Sequence, residues 1–190
     1  GIPHEASILI SLSIGILLTG ALHEDGVADF FDSLGGKDYS TRQKILKDSR
    51  LGSFGVLALI IVFLMKFLLL SGLEYPLALA CGLISCLSLG RFSILLLVNY
   101  SDLSKQAGLT KHLKKVSRKT IILCGMFSML WVIPAGLFAM IFMIIFGYAS
   151  IYFFSKFVVP FNRGLSGDIL GLYVVFVELS SLLILTASFS

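Results

Sequence analysis

The sequence predicts an all-α fold: a polytopic integral membrane helical bundle with about six transmembrane segments. Three observations carry that prediction. Of 190 residues, 57% are hydrophobic and only 14% charged, and the mean hydropathy of +0.96 lies outside the soluble range. Apolar runs recur at 8–22, 54–71, 76–98, 120–133, 135–159 and 169–187, the first and fourth shorter than the ~20 residues a span usually needs. No linker, low-complexity tract or repeat divides them, so residues 1–190 read as a single transmembrane catalytic domain. The leading residues have no basic n-region and the first run continues straight into acidic residues, so no signal peptide is expected.

The first run closes on Thr19-Gly20-Ala21-Leu22, small residues that allow close helix packing. Directly after it stands His23-Glu24-Asp25-Gly26-Val27-Ala28-Asp29-Phe30-Phe31-Asp32. On a helix Asp25, Asp29 and Asp32 fall at i, i+4 and i+7, so one face presents three carboxylates, with Glu24 roughly a quarter-turn away. Stacked like charges oppose their own helix by a few tenths of a kcal/mol per exposed pair, and by more where water is scarce. A cation is therefore expected there. Such acids also complement helix N-termini or form solvated faces. Nearby basic residues and Gly26, which permits close backbone approach, favour a metal instead. Oxygen-only ligands suit Mg²⁺ or Mn²⁺, while one His and no Cys give zinc little support.

Beyond Gly35-Gly36, Ser40-Thr41-Arg42-Gln43 reads as a capping box and predicts a short surface helix over 41–49. Lys47 and Arg50, at i and i+3, can grip one phosphate, and Gly52 and Gly55 leave N–H groups accessible near a helix start. The competing reading is a positive anchor that sets orientation. Lys66 reads as a lysine whose ammonium reaches back to the interface. Pro76 opens the next segment, as prolines do at helix starts. Arg91 lies about two turns inside it, where an unpaired charge costs about 2.5–3.5 kcal/mol, so a carboxylate or phosphate partner is implied.

Residues 100–119 carry six Lys or Arg against one Asp, which marks the cytoplasmic side. The loops at 23–53, 100–119 and 156–168 then share that side, and 72–76 and a turn at Pro134 share the other. Pro134 should separate two spans, because 120–159 is too long for one crossing. Asp168 opens the last segment, as a helix cap or as a further site carboxylate. Glu178, about 15 Å deeper, is an intramembrane acid with Arg91 as its candidate partner. Cys81, Cys86 and Cys124 lie in apolar runs without CxxC spacing and read as small core residues. Basic residues confined to short loops argue against nucleic acid as a partner.

Three blocks together resemble the cobalamin synthase family, adenosylcobinamide-GDP ribazoletransferase. They are Thr19 to Asp32 with Gly35-Gly36, then Lys47-Asp48-Ser49-Arg50-Leu51-Gly52-Ser53-Phe54-Gly55, then Gly164-Leu165-Ser166-Gly167-Asp168-Ile169-Leu170-Gly171 with Glu178. Arg91, Tyr100 and Gly108-Leu109 also fall where the family keeps similar residues. The chain is similar to the family over nearly its whole length but starts partway in, so it is expected to lack an N-terminal stretch with another membrane segment. Ser101-Asp102 stands where the family tends to have Ala-Arg, and Arg163-Gly164 where it has a glycine pair.

The resemblance implies a Mg²⁺-dependent transfer of the cobinamide-phosphate group of adenosylcobinamide-GDP to α-ribazole or its 5′-phosphate, giving adenosylcobalamin or its phosphate and GMP. Joined to the residue reading, it makes Glu24, Asp25, Asp29, Asp32 and Asp168 catalytic, with Asp25, Asp29, Asp32 and Asp168 on the metal. Lys47, Arg50, Gly52, Gly55, Arg91 and Glu178 are expected to bind substrate. The expected partners are these small molecules and the lipid bilayer, with a homo-oligomer left open. The expected location is the inner or plasma membrane, multi-pass, with the active site toward the cytoplasm. Two other readings compete. A CDP-alcohol phosphotransferase also uses helical aspartates with Mg²⁺, but its motif has two residues between DG and an Ala-Arg pair, whereas Asp25-Gly26-Val27-Ala28-Asp29 has one and then an acid. A cation transporter would carry its acids at the midplane of an inverted repeat rather than at one face.

Overall fold

The computed structural model describes residues 1–46, 48, 50–101, 110 and 112–189. Its helices are α1 (His4–Thr19), α2 (Leu22–Ser33), α3 (Tyr39–Ile45), α4 (Ser53–Ser71), α5 (Pro76–Tyr100), α6 (Arg118–Met129), α7 (Gly136–Phe153), the single turn α8 (Val159–Phe161) and α9 (Gly167–Phe189). A 3₁₀ segment, Leu130–Ala135, joins α6 to α7, and a π-helical segment, Phe154–Val158, joins α7 to α8. The described residues contain no strand.

The breaks follow local backbone chemistry. Gly20 and Ala21 both take left-handed φ values, 61° and 57°, and α1 turns 85° into α2 there. Glycine adopts that region freely, whereas Ala21 is held in it at a cost of roughly 1–2 kcal/mol. Pro76 stands in the first turn of α5. Asp38, not Ser40, caps α3: its Oδ1 accepts the Thr41 N–H at 2.8 Å and the Ser40 hydroxyl at 2.8 Å. The expected capping box therefore sits two residues too late, because a carboxylate at a helix N-terminus adds charge complementarity to the same hydrogen bond.

Four helical stretches are long and apolar enough to cross a membrane, Ser53–Ser71, Pro76–Tyr100, Arg118–Phe161 and Gly167–Phe189, or five if the bent α1–α2 pair is one span. The expected six reduce to these for two reasons. The first apolar run yields only a 16-residue helix before the bend. The fourth and fifth runs join in one 44-residue helical stretch, which enters this count once although it holds two arms. Pro134 lies in its 3₁₀ segment, and Gly136 takes φ 88°. Ile121 and Gly125 share a cavity with Gly147 and Ile151, so the two arms fold back on each other as the Pro134 turn predicts.

α9 is the central helix, packed on α2, α4, α5 and α7. Leu97, Ile169 and Tyr173 form one core cluster, and Ile8, Leu70 and Leu182 another. Leu17, Leu18 and Phe138 point outward, about four-fifths exposed, as side chains facing lipid do. Cys81 and Cys86 are buried and all three cysteines are free. Asp32 meets Gly52, and Thr110 Oγ1 donates to Leu165 O at 2.8 Å, which gathers the acidic motif, Thr110 and the start of α9 at one end. At the other end Thr186 Oγ1 donates to Leu69 O at 2.9 Å, and Val132 packs with Leu185. The two-ended arrangement agrees with the loop reading, except that 22–33 is no loop. It is a helix lying within the bundle, antiparallel to α4: Asp32 meets Gly52 while Glu24 reaches Lys66.

Candidate active site

Two glycines place the acidic helix. A Cβ on Gly26 would stand 2.8 Å from the Asp168 carbonyl oxygen and 3.1 Å from Gly171 Cα, and one on Gly171 would stand 3.0 Å from the His23 carbonyl oxygen. α2 and α9 therefore touch backbone to backbone, the approach by which small residues associate helices where lipid removes the hydrophobic drive. That contact joins Asp168 to the motif. Asp25, Asp32 and Asp168 all lie close enough to act on the charge of Asp29, and Asp25 acts on Asp168 as well. Asp168 also accepts from Ser166 Oγ at 3.2 Å, and Ser166 Oγ accepts the Ile169 N–H at 3.4 Å. Ser166 rather than Asp168 thus caps α9, which leaves the carboxylate free to face α2.

Asp32 is used differently from its neighbours. Its Oδ2 accepts the Gly52 N–H at 2.7 Å and its Oδ1 the Gly55 N–H at 2.8 Å. A Cβ at Gly52 would overlap that carboxylate, and one at Gly55 would stand 2.5 Å from it. These two amides, expected to be open to phosphate, are occupied. A carboxylate brought from α2 satisfies the first-turn donors of α4 and complements its dipole.

Arg50 lies beyond this cap with its side chain 87% exposed, paired to Asp48 at 2.6 Å. Hydrogen bonding from that guanidinium pulls Asp48 down to about 2. Arg50 and Asp48 line a cavity of about 550 Å³ together with Glu24, Asp25 and Asp29. Lys47, the other expected phosphate ligand, lies outside the described residues, as do Asp102 and Gly108-Leu109.

Deeper in the bundle stands a charge cluster. Glu178, 2% exposed, is paired with both Arg91 and Lys66, the latter at 2.6 Å, and Lys66 also lies 3.4 Å from Glu24. His23 feels all four charges. Gly90 makes the space: a Cβ there would be 2.9 Å from Glu178 Cγ. The expected Arg91–Glu178 pair is present. Lys66, however, is 9% exposed and turned inward, so it does not reach back to the interface. Its signal was in the sequence, because an intramembrane lysine pairs by default and two buried acids leave room for a second cation. The Oε2 of Glu24 is buried with no hydrogen-bond partner.

As a metal centre, the donors are of one chemical kind. Asp25, Asp29 and Asp168 offer carboxylate oxygens, whose mutual repulsion a cation would relieve. Among the described residues no group of three or more His, Cys, Asp or Glu side chains stands close enough together to hold a metal ion.

The family described as cobalamin-5-phosphate synthase matches residues 1–186. The adenosylcobinamide-GDP ribazoletransferase of Shewanella oneidensis is 54% identical over 70 residues, 36% of this chain and 27% of that protein. Its counterpart in Shewanella baltica is 50% identical over the same shares. These alignments thus span about a quarter of the relatives' own length, 27% in each. No solved structure matches.

Proposed function

Because this chain belongs to the cobalamin-5-phosphate synthase family, we propose that it transfers the cobinamide-phosphate group of adenosylcobinamide-GDP to α-ribazole or its 5′-phosphate and releases GMP. The observation that carries this reading is the backbone contact of Gly26 with Asp168 and Gly171, which gathers Asp25, Asp29 and Asp168 beside the cavity that Arg50 lines. In the reaction an acceptor hydroxyl oxygen bonds to the phosphorus that carries cobinamide. The bond from that phosphorus to the bridging pyrophosphate oxygen breaks, and GMP leaves with that oxygen. The hydroxyl proton passes to a carboxylate of the cluster, and we assign it to Asp29, on whose charge Asp25, Asp168 and Asp32 all act. Arg50, released from Asp48, would pair with the phosphate oxygens through its planar fork. Mg²⁺ held by one or two carboxylates among Asp25, Asp29 and Asp168, and otherwise by water and phosphate, would neutralise charge on the pyrophosphate and the departing GMP.

Asp32 acts by holding α4 against α2 through the Gly52 and Gly55 amides, and Glu178, Arg91 and Lys66 hold α4, α5 and α9 in register. The excess of Lys and Arg over residues 100–119 supports an orientation with this end of the bundle toward the cytoplasm of a cell membrane. The test is reconstitution of the chain in liposomes. GMP should appear from adenosylcobinamide-GDP only when α-ribazole or its phosphate is added, and Asp29→Ala should abolish it. Wild-type release by that variant would overturn the assignment.

A further inference from the structure

Between α1, α4, α5 and α9 lies a cavity of about 510 Å³, walled mainly by apolar side chains such as Leu12, Phe63 and Leu83. Its polar floor is Glu24, Lys66, Arg91 and Glu178. Ala21, Glu24 and Leu59 line this cavity and also the acidic one, so the two share a wall. We propose that this cavity is the acceptor subsite, holding the apolar base of an α-ribazole-type nucleoside with its sugar turned toward Glu24 and the carboxylates. The inference rests on the function proposed above and assigns one of its two substrates to a place.

Size separates the substrates. Cavities of about 300–1,000 Å³ hold drug-sized ligands, which includes a nucleoside but not a corrin carrying GDP. The donor must therefore reach the carboxylates from the open side, where Arg50 stands, and the acceptor hydroxyl must come from elsewhere. Polarity agrees. A flat apolar base matches the walls, and the floor offers an acceptor rather than a free cation. Both Lys66 and Arg91 are already bound to Glu178, whereas Glu24, which Lys66 meets only at 3.4 Å, keeps its side chain 19% exposed and lines both cavities. A carboxylate there accepts a ribose hydroxyl, which would fix the sugar at the wall the two cavities share. Glu24 lies one residue before Asp25 on α2, so a sugar held there stands at the edge of the reacting centre.

Gly15 gives a clean test, since it lines the cavity and a Cβ there meets nothing within 4 Å. Gly15→Phe puts a ring into the proposed base site at a position where leaving glycine also favours the helix. In liposomes the KM for α-ribazole should rise ten-fold or more while the KM for adenosylcobinamide-GDP stays within two-fold. An unchanged acceptor KM, or equal rises in both, overturns the site. On the wild-type chain a photoreactive azidobenzimidazole riboside should label residues that line the cavity, such as Leu12, Phe63 or Leu83, and labelling confined to residues that do not line it overturns the site independently of any variant. If wild-type chain releases no GMP on addition of acceptor, the functional reading falls and the site with it. If release is normal and only these two results fail, the function stands without this site.

Discussion

Replacing Gly26 by alanine tests the contact on which the site depends. The added carbon would stand 2.8 Å from the Asp168 carbonyl oxygen, 3.0 Å from its Cα and 3.1 Å from Gly171 Cα. Comfortable carbon contacts lie at about 3.5–4.0 Å, and every obstacle here is backbone that no rotamer change can move aside. α2 and α9 must therefore part by roughly 0.5–1 Å. Overpacking of this kind costs about 1–3 kcal/mol, and the better helix propensity of alanine returns about 0.5–1 kcal/mol. The net stability loss is thus modest, on the order of 1–2 kcal/mol. Activity should suffer more, because a displacement of about 1 Å at a reacting centre can cost ~100-fold in rate. GMP release in liposomes and thermal unfolding in detergent should be measured together, with Gly147→Ala as a control, since a Cβ there meets nothing within 4 Å. Turnover of Gly26→Ala at the wild-type rate, with an unchanged unfolding temperature, would refute the claim that this crossing positions the carboxylates.

Other perturbations separate the roles of the remaining residues. Glu178→Gln leaves Lys66 and Arg91 without their shared anion, and breaking a buried pair costs about 3–5 kcal/mol, so folded protein should be scarce; wild-type thermal stability would count against the cluster as a structural lock. Asp32→Asn can accept only one of the two glycine amides, so stability should fall by about 1–3 kcal/mol with the Mg²⁺ dependence of turnover unaltered; a shifted Mg²⁺ requirement at unchanged stability would return Asp32 to the metal. Arg50→Lys keeps the charge and loses the fork, so GMP release should drop ten-fold or more, and wild-type kinetics would make Arg50 an orientation anchor. Arg50 holds Asp48 down to about 2, so the pair's contribution is present above the usual carboxylate range and is lost only as pH falls toward that value; in Arg50→Ala the Asp48 titration, followed by carboxyl NMR, should return to about 4.

Composition and local chemistry determined the class of molecule and the identity of its acids. Long apolar runs admit only helices in a bilayer, so the all-α bundle followed from hydropathy alone, and Pro76 and Pro134 marked breaks by their missing N–H. The spacing of Asp25, Asp29 and Asp32 put three carboxylates on one face of α2 whatever the helix packs against. Which of them act together was a tertiary matter. Asp168 is more than a hundred residues away in sequence, and it joins Asp29 because Gly26 and Gly171 let two backbones touch. Asp32 looks like its neighbours on a helical wheel, yet the start of α4 approaches it and takes both its oxygens for two amides. Lys66 read as a surface-seeking lysine because its place near the end of α4 says nothing of what α9 presents. Only the packed bundle put Glu178 and Glu24 beside it, where pairing with buried acids outweighs the pull of water at the interface. Periodicity along one helix sets which side chains share a face, while the partner of that face depends on distances between helices, and here those distances were decided by residues with no side chain at all.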